Sequence, residues 1–156
     1  IQSMKLEDLV IASPDVGGSK RASSYAKYLG VDLVLCHKQR AKANVVESMK
    51  IIGDVKGKNV IILDDMVDTA GTITKAADLM IENGALSVRA FASHGVLSDP
   101  ATERIEKSKL TAIYFTDSIP LKKESEKIKV LSVAELIANT IINVNTNKSI
   151  SSSYLV

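Results

Sequence analysis

One cysteine, no tryptophan, two phenylalanines, four tyrosines and three prolines stand in 156 residues, and each scarcity excludes something. A lone thiol, Cys36, permits no internal disulfide and no multi-cysteine metal site, and it fits a reducing compartment. No stretch reaches the roughly 18 uncharged apolar residues of a membrane span, and no signal peptide opens the chain. Neither sign of charge dominates: 20 Lys and Arg against 18 Asp and Glu leave +2. That balance, with a sequence pI of about 8.6 and no Lys/Arg-rich run, argues against a charge-driven nucleic-acid binder. What is abundant is small and aliphatic: 46% of residues are hydrophobic, with a mean hydropathy of +0.11. A chain of this length can bury a real core, and with neither repeat nor linker it reads as one cytoplasmic domain, residues 1–156. It begins almost directly on a strand, which predicts that it was cut from something longer.

Short apolar runs alternate with amphipathic stretches, the pattern of a parallel α/β sheet flanked by helices. Leu9–Ser13 (LVIAS) reads as a buried strand stopped by Pro14. In the segment that follows, Ala22, Tyr25, Ala26 and Leu29 share one helical face, and Gly30 supplies the stop. Val31–Cys36 completes a βαβ unit. The basic, aperiodic HKQRAKAN, residues 37–44, reads as a mobile loop. Val45–Ile52 fits strand or helix, and the turn Asp54–Lys58 predicts a hairpin into the next strand. Asn59–Leu63 (NVIIL) is the clearest buried strand, followed by a loop DDMVDTAGT and a helix over Ile73–Glu82 ended by Asn83 and Gly84. Ser87–Ala92, Ala112–Phe115 and Ile128–Leu131 read as further strands, and Asp99–Lys107 as a short charged helix. Ser132 with Glu135 forms a capping-box signature for a helix to Ile142 whose apolar face predicts a place in the core.

The segment richest in chemical meaning is Val60–Thr72, VIILDDMVDTAGT. An apolar strand ends in two carboxylates, Asp64 and Asp65, and the chain turns through small residues into a helix. Loops at the carboxyl ends of strands are where α/β sheets bind ligands. Thr69, Ala70, Gly71 and Thr72 can aim backbone N–H groups and two hydroxyls at a phosphate, and the helix start adds about half a positive charge. Carboxylates beside such a cradle make sense if the ligand also carries hydroxyls, because an ionised Asp accepts from sugar O–H donors. The inferred ligand is a sugar phosphate. The competing reading has Asp64 and Asp65 simply end a strand while Asp68 caps the helix. No GK[ST] follows, so this is not a Walker loop.

These thirteen residues resemble the phosphoribosyl-pyrophosphate signature of type I phosphoribosyltransferase folds, a Rossmann-like, mostly parallel sheet. With SPDVGGSKRA (residues 13–22), HKQRAKAN and the ending SISSSYLV, the whole chain in order is similar to the C-terminal half of the ribose-phosphate pyrophosphokinase family. The resemblance implies transfer of the diphosphoryl group of ATP to the 1-hydroxyl of ribose 5-phosphate. It implies that Asp68, Thr69, Ala70, Gly71 and Thr72 hold the 5-phosphate, and Asp64 and Asp65 the ribose diol. It further implies Asp15 as a Mg²⁺ ligand, Gly17 and Gly18 beside the nucleotide phosphates, and Lys38 and Arg40 as catalytic cations, Arg40 also touching the sugar phosphate. Capping of the next helix is the competing role for Asp15. A homo-oligomer regulated by phosphate and ADP is implied as well, with the tail Ser149–Val156 a candidate participant. The chain departs from the family in having Val16 after Asp15, where His is usual. Two other roles stay open: a non-catalytic, synthetase-associated module, and a phosphoribosyltransferase that consumes the product. The latter needs a base-recognising hood, for which no aromatic-rich insertion is found. Of the two histidines, His94 is expected to pack, and His37 borders the basic loop without a partner.

Overall fold

In the computed structural model, residues 1–39 and 48–151 are described, with backbone alone at positions 38, 39 and 48. A 3-10 turn at Gln2–Met4 precedes β1 (Leu9–Ser13), α1 (Ser19–Leu29), β2 (Asp32–Gln39), β3 (Ser48–Ile52), β4 (Asn59–Val67), α2 (Gly71–Glu82), β5 (Ser87–Gly95), α3 (Ala101–Lys107), β6 (Ala112–Thr116), β7 (Ile128–Leu131) and α4 (Ala134–Asn145). The seven strands form one sheet in the order β3-β2-β1-β4-β5-β6-β7. All neighbours are parallel except β2 and β3. Central β1 and β4 are apolar on both faces because helices cover both. On one side α1 packs Ala22 and Ala26 against Ile11, Ile61 and Leu63. On the other, α2 and α3 seal Ile62, Val88, Ala90 and Ile113 with Ile73, Met80 and Ile105.

The chain runs outward from β1 to β2 and in the opposite direction from β4 through β5 to β6. The order therefore reverses between β1 and β4, and a crevice opens at the carboxyl ends of those two strands, where doubly wound sheets hold ligands. α1 ends at Gly30 in the left-handed region, as its sequence predicts.

Four expectations need correction. His37–Gln39 extend β2 as strand, and the rest of the 37–44 loop lies outside the described residues. β3 does not form a hairpin with β4; it pairs back on β2, Cys36 opposite Ile51. The turn after it instead carries the chain across to the sheet centre, where Gly57 and Leu86 exchange hydrogen bonds across the bottom edge with Gly84 and Lys58. The predicted loop after Leu63 starts late, because β4 stays paired with β5 as far as Val67 opposite Gly95. Finally, α4 buries no residue. Leu136 and Ile141 are 54% and 63% exposed, so its apolar face is not part of this core. Its capping box forms only in part: the Ser132 hydroxyl accepts the Ala134 N–H at 3.3 Å and the Asp117 carboxylate accepts the Val133 N–H at 3.0 Å, while Glu135 makes no return bond to Ser132 among the described residues.

Candidate active site

The crevice is built from the ends of two neighbouring strands. β1 ends at Ser13, whose buried hydroxyl donates to the Asp15 carbonyl at 2.7 Å. The Asp15 carboxylate in turn accepts the Gly18 N–H at 2.9 Å, so the capping reading of Asp15 is fulfilled by one of its oxygens. A Cβ on Gly18 would stand 2.8 Å from the Ser13 hydroxyl, which is why this turn needs a glycine; Gly17 follows Val16 on the exposed side. Close approach of the chain, not a special φ, sets the requirement at Gly18, since φ there is −78°.

β4 runs beside β1, Ala12 opposite Ile62, and delivers Asp64 and Asp65 just past the level at which β1 ends. Asp64 is the more enclosed, its side chain 21% exposed against 65% for Asp65. Burial, with the neighbouring carboxyl of Asp65 and the charge of Asp15 beside it, raises Asp64 from the ordinary 3.8 to about 6. Asp65 is held below the ordinary range by its hydrogen bonding with Asp64 and by the Arg21 guanidinium. The pair thus divides its proton affinity, as two close carboxylates must.

Arg21, from the first turns of α1, lies against both acids, 3.7 Å from Asp64 and 3.3 Å from Asp65. Its Nη1 is buried without a hydrogen-bond partner among the described residues. At 3.7 Å its contact with Asp64 is long, and burial outweighs it. Nothing in the spacing of SPDVGGSKRA marks Arg21 for a role, because only the packing of α1 against β4 brings it to the acids.

The chain then turns through Asp68 and Thr69 into α2. Ala70, buried and at φ 59°, adopts the left-handed conformation at the helix entry, a strained setting for a residue with a Cβ. Its carbonyl is fixed by the Thr74 N–H at 3.1 Å and the Thr74 hydroxyl at 2.8 Å. Asp68 does not cap α2: no side-chain hydrogen bond closes that end. Asp15, Asp64 and the Asp68–Thr72 turn line one cleft of about 170 Å³. Of the twelve residues expected at the site, Asp15, Gly17 and Gly18 lie in the turn after β1, Asp64 and Asp65 in the last part of β4, and Asp68, Thr69, Ala70, Gly71 and Thr72 in the turn into α2 and its first residues; seven of them, Asp15, Asp64 and Asp68–Thr72, line the cleft. Of the two expected cations, Lys38 is described in backbone only, in β2 opposite Met49, and Arg40 lies outside the described residues. His94 is not packed: it is exposed, with Nδ1 2.8 Å from the Ser118 hydroxyl. Cys36 is buried, and burial pushes its thiol up to about 11, the inert state of a structural cysteine.

The model of the phosphoribosyl synthetase-associated domain family matches residues 39–156. A ribose-phosphate pyrophosphokinase of Porphyromonas gingivalis is 60% identical over 153 residues, spanning 98% of this chain and 49% of that protein. The crystal structure of phosphoribosylpyrophosphate synthetase from Mycobacterium smegmatis superposes with a TM-score of 0.82 at 42% identity, covering 90% of this chain and 46% of the other. A purine phosphoribosyltransferase from Pyrococcus horikoshii shares the fold, at TM-score 0.50 and 20% identity over 84% of this chain and 73% of the other. The chain thus spans about half the length of the ribose-phosphate pyrophosphokinases it matches.

Proposed function

The chain belongs to the phosphoribosyl synthetase-associated domain family, and from that membership and the crevice we propose that it is the sugar-phosphate half of a ribose-phosphate diphosphokinase. In that reaction the 1-hydroxyl oxygen of ribose 5-phosphate attacks the β-phosphorus of ATP and loses its proton, the bond from the β-phosphorus to the α,β-bridging oxygen breaks, and AMP leaves carrying that oxygen. One observation carries the reading. An acid pair and a small-residue turn opening a helix stand side by side where the strand order reverses, and a sugar phosphate offers both of the groups that such a pairing recognises.

In this reading the 5-phosphate sits on Asp68–Thr72, held by backbone N–H groups and the hydroxyls of Thr69 and Thr72. Asp64 and Asp65 accept from the ribose hydroxyls, and Arg21 keeps the pair from repelling the anion. Magnesium suits the donor chemistry: Asp15 and Asp64 offer hard oxygens to one cleft, and Mg²⁺ in phosphate sites needs few protein ligands. Among the described residues no group of three or more His, Cys, Asp or Glu could hold a metal alone, so ATP phosphates would supply the remaining ligands. The ion would neutralise phosphate charge, and Asp15 would hold it. Lys38 and Arg40 are assigned the cationic stabilisation of the diphosphoryl group in flight. In support, β2 runs parallel to β1 and continues beyond it, so the backbone at position 38 lies on the sheet edge that bears the crevice.

A second domain completes the nucleotide side. The apolar faces that α4 and β7 leave exposed, and relatives about twice as long, support a chain that works against a further domain. Assembly as a homo-oligomer, regulation by phosphate and ADP with Ser149–Val156 taking part, and a cytoplasmic setting belong to the same proposal; residues 152–156 lie outside the described residues. A non-catalytic module would suit the family description equally well, but such modules gain nothing from an intact acid pair and phosphate turn. Titration of ribose 5-phosphate into this chain tests the reading: saturable binding abolished by Asp64→Asn is expected, with little AMP released from ATP by the chain alone. No binding at millimolar sugar would overturn it.

A further inference from the structure

α3 lies against the phosphate turn without lining the cleft. Its Arg104 Nη1 donates to the Thr69 carbonyl at 2.9 Å, and the same nitrogen stands 3.4 Å from where a Cβ on Gly71 would be. We infer that Arg104 is a positioning residue for the anion site: by holding the Thr69 carbonyl backward, it turns the Ala70 N–H forward into the cradle. The inference rests on the sugar-phosphate reading of that turn and adds a residue to it from a separate element.

The Thr69–Ala70 peptide is trans, since Asp99–Pro100 is the cis bond recorded among the described residues. In a planar trans peptide the C=O and N–H point in opposite directions. Fixing the oxygen toward Arg104 therefore commits the Ala70 N–H to the other side. The next peptide is fixed likewise: Thr74 holds the Ala70 carbonyl inside the helix, which sends the Gly71 N–H out of the helix end. Neither N–H has an intramolecular acceptor among the described residues. Ala70 pays for this arrangement with a left-handed φ of 59°, so without an anchor the Thr69–Ala70 peptide is free to rotate to a relaxed conformation. A preorganised donor is worth more to a bound anion than one that must reorient on binding.

Arg104 is itself exposed, so its replacement should leave the fold intact. Lys107, one turn further along α3, pairs with Glu103 and makes no hydrogen bond to the turn among the described residues, which makes it a control for bare charge. The experiment is titration of ribose 5-phosphate, and separately of inorganic phosphate, into the full chain, followed by amide NMR at Ala70 and Gly71 with thermal melts in parallel. Arg104→Met is expected to weaken binding of both about tenfold, to move the Ala70 amide resonance in the unliganded protein, and to leave the melting temperature unchanged. Arg104→Lys, which keeps a donor, should recover most of the affinity, and Lys107→Met should bind as the parent does. Unchanged affinity in Arg104→Met, or an equal loss in Lys107→Met, would overturn the role of Arg104 while leaving the sugar-phosphate site standing. A parent chain that binds neither ligand would overturn both.

Discussion

Asp64→Asn separates the cost of the acid pair to the fold from its use in binding. Asp64 has its proton affinity raised from 3.8 to about 6, mainly by burial and by Asp65. At full strength such a rise corresponds to about 3 kcal/mol, taking 1.36 kcal/mol per pH unit. The opposite shift of Asp65 and the half-open setting reduce the net figure to about 1 kcal/mol. The sign follows from linkage. Folded Asp64 holds its proton more tightly than the unfolded chain does, so stability falls as pH rises from about 4 to about 6 and stays reduced above that. Asn carries no charge in either state. The variant should match the parent near pH 4 and exceed it by about 1 kcal/mol at pH 8, a melting-point gain of about 2–4 °C for a chain of this size. Urea and thermal melts at the two pH values measure this, and ribose 5-phosphate titration should show the affinity lost in the stabilised variant. A variant less stable than the parent at pH 8, or a gain of the same size at both pH values, would refute the electrostatic reasoning.

Gly18→Ala places a Cβ 2.8 Å from the Ser13 hydroxyl and should cost about 1–3 kcal/mol in urea melts; a neutral result would mean that the turn yields easily. Asp68→Ala, at an exposed position, should change stability by less than about 0.5 kcal/mol while weakening ribose 5-phosphate binding several-fold, and unchanged calorimetric affinity would remove Asp68 from the cradle. In the two-domain enzyme proposed above, Lys38→Ala should lower the rate of AMP release by about 10²–10³ with substrate binding nearly normal; a wild-type rate would dismiss Lys38. Leu136→Ser and Ile141→Ser, on the exposed face of α4, should shift the stability of this chain by less than about 0.5 kcal/mol, and a loss of several kcal/mol would show that α4 is packed after all.

Local pattern made much of this protein readable. The apolar runs of β1 and of the first half of β4, the i, i+3, i+4, i+7 face of α1 and its Gly30 stop are properties of a few consecutive residues, and they appear where the sequence places them. The acid pair and the TAGT turn are legible for the same reason, because each is a run of neighbours in the chain. Pairing is less legible. The antiparallel return of β3 onto β2 and the extension of β4 to Val67 depend on which strand lies alongside, and apolar runs do not name their partners. The helix α4 shows the converse: its periodicity announces a buried face, but periodicity cannot say whether the cover belongs to the same domain.

The sequence by itself determined the alternation of strands and helices, the acids and the phosphate turn, since backbone propensity and local hydrogen bonding are encoded within a few residues. Only the tertiary structure set Asp15 beside Asp64 across the reversal point, brought Arg21 to the acids and placed Arg104 behind Thr69. Those contacts join residues up to 49 positions apart, between elements whose meeting is decided by how the faces of one sheet are covered, and no spacing along the chain records that choice.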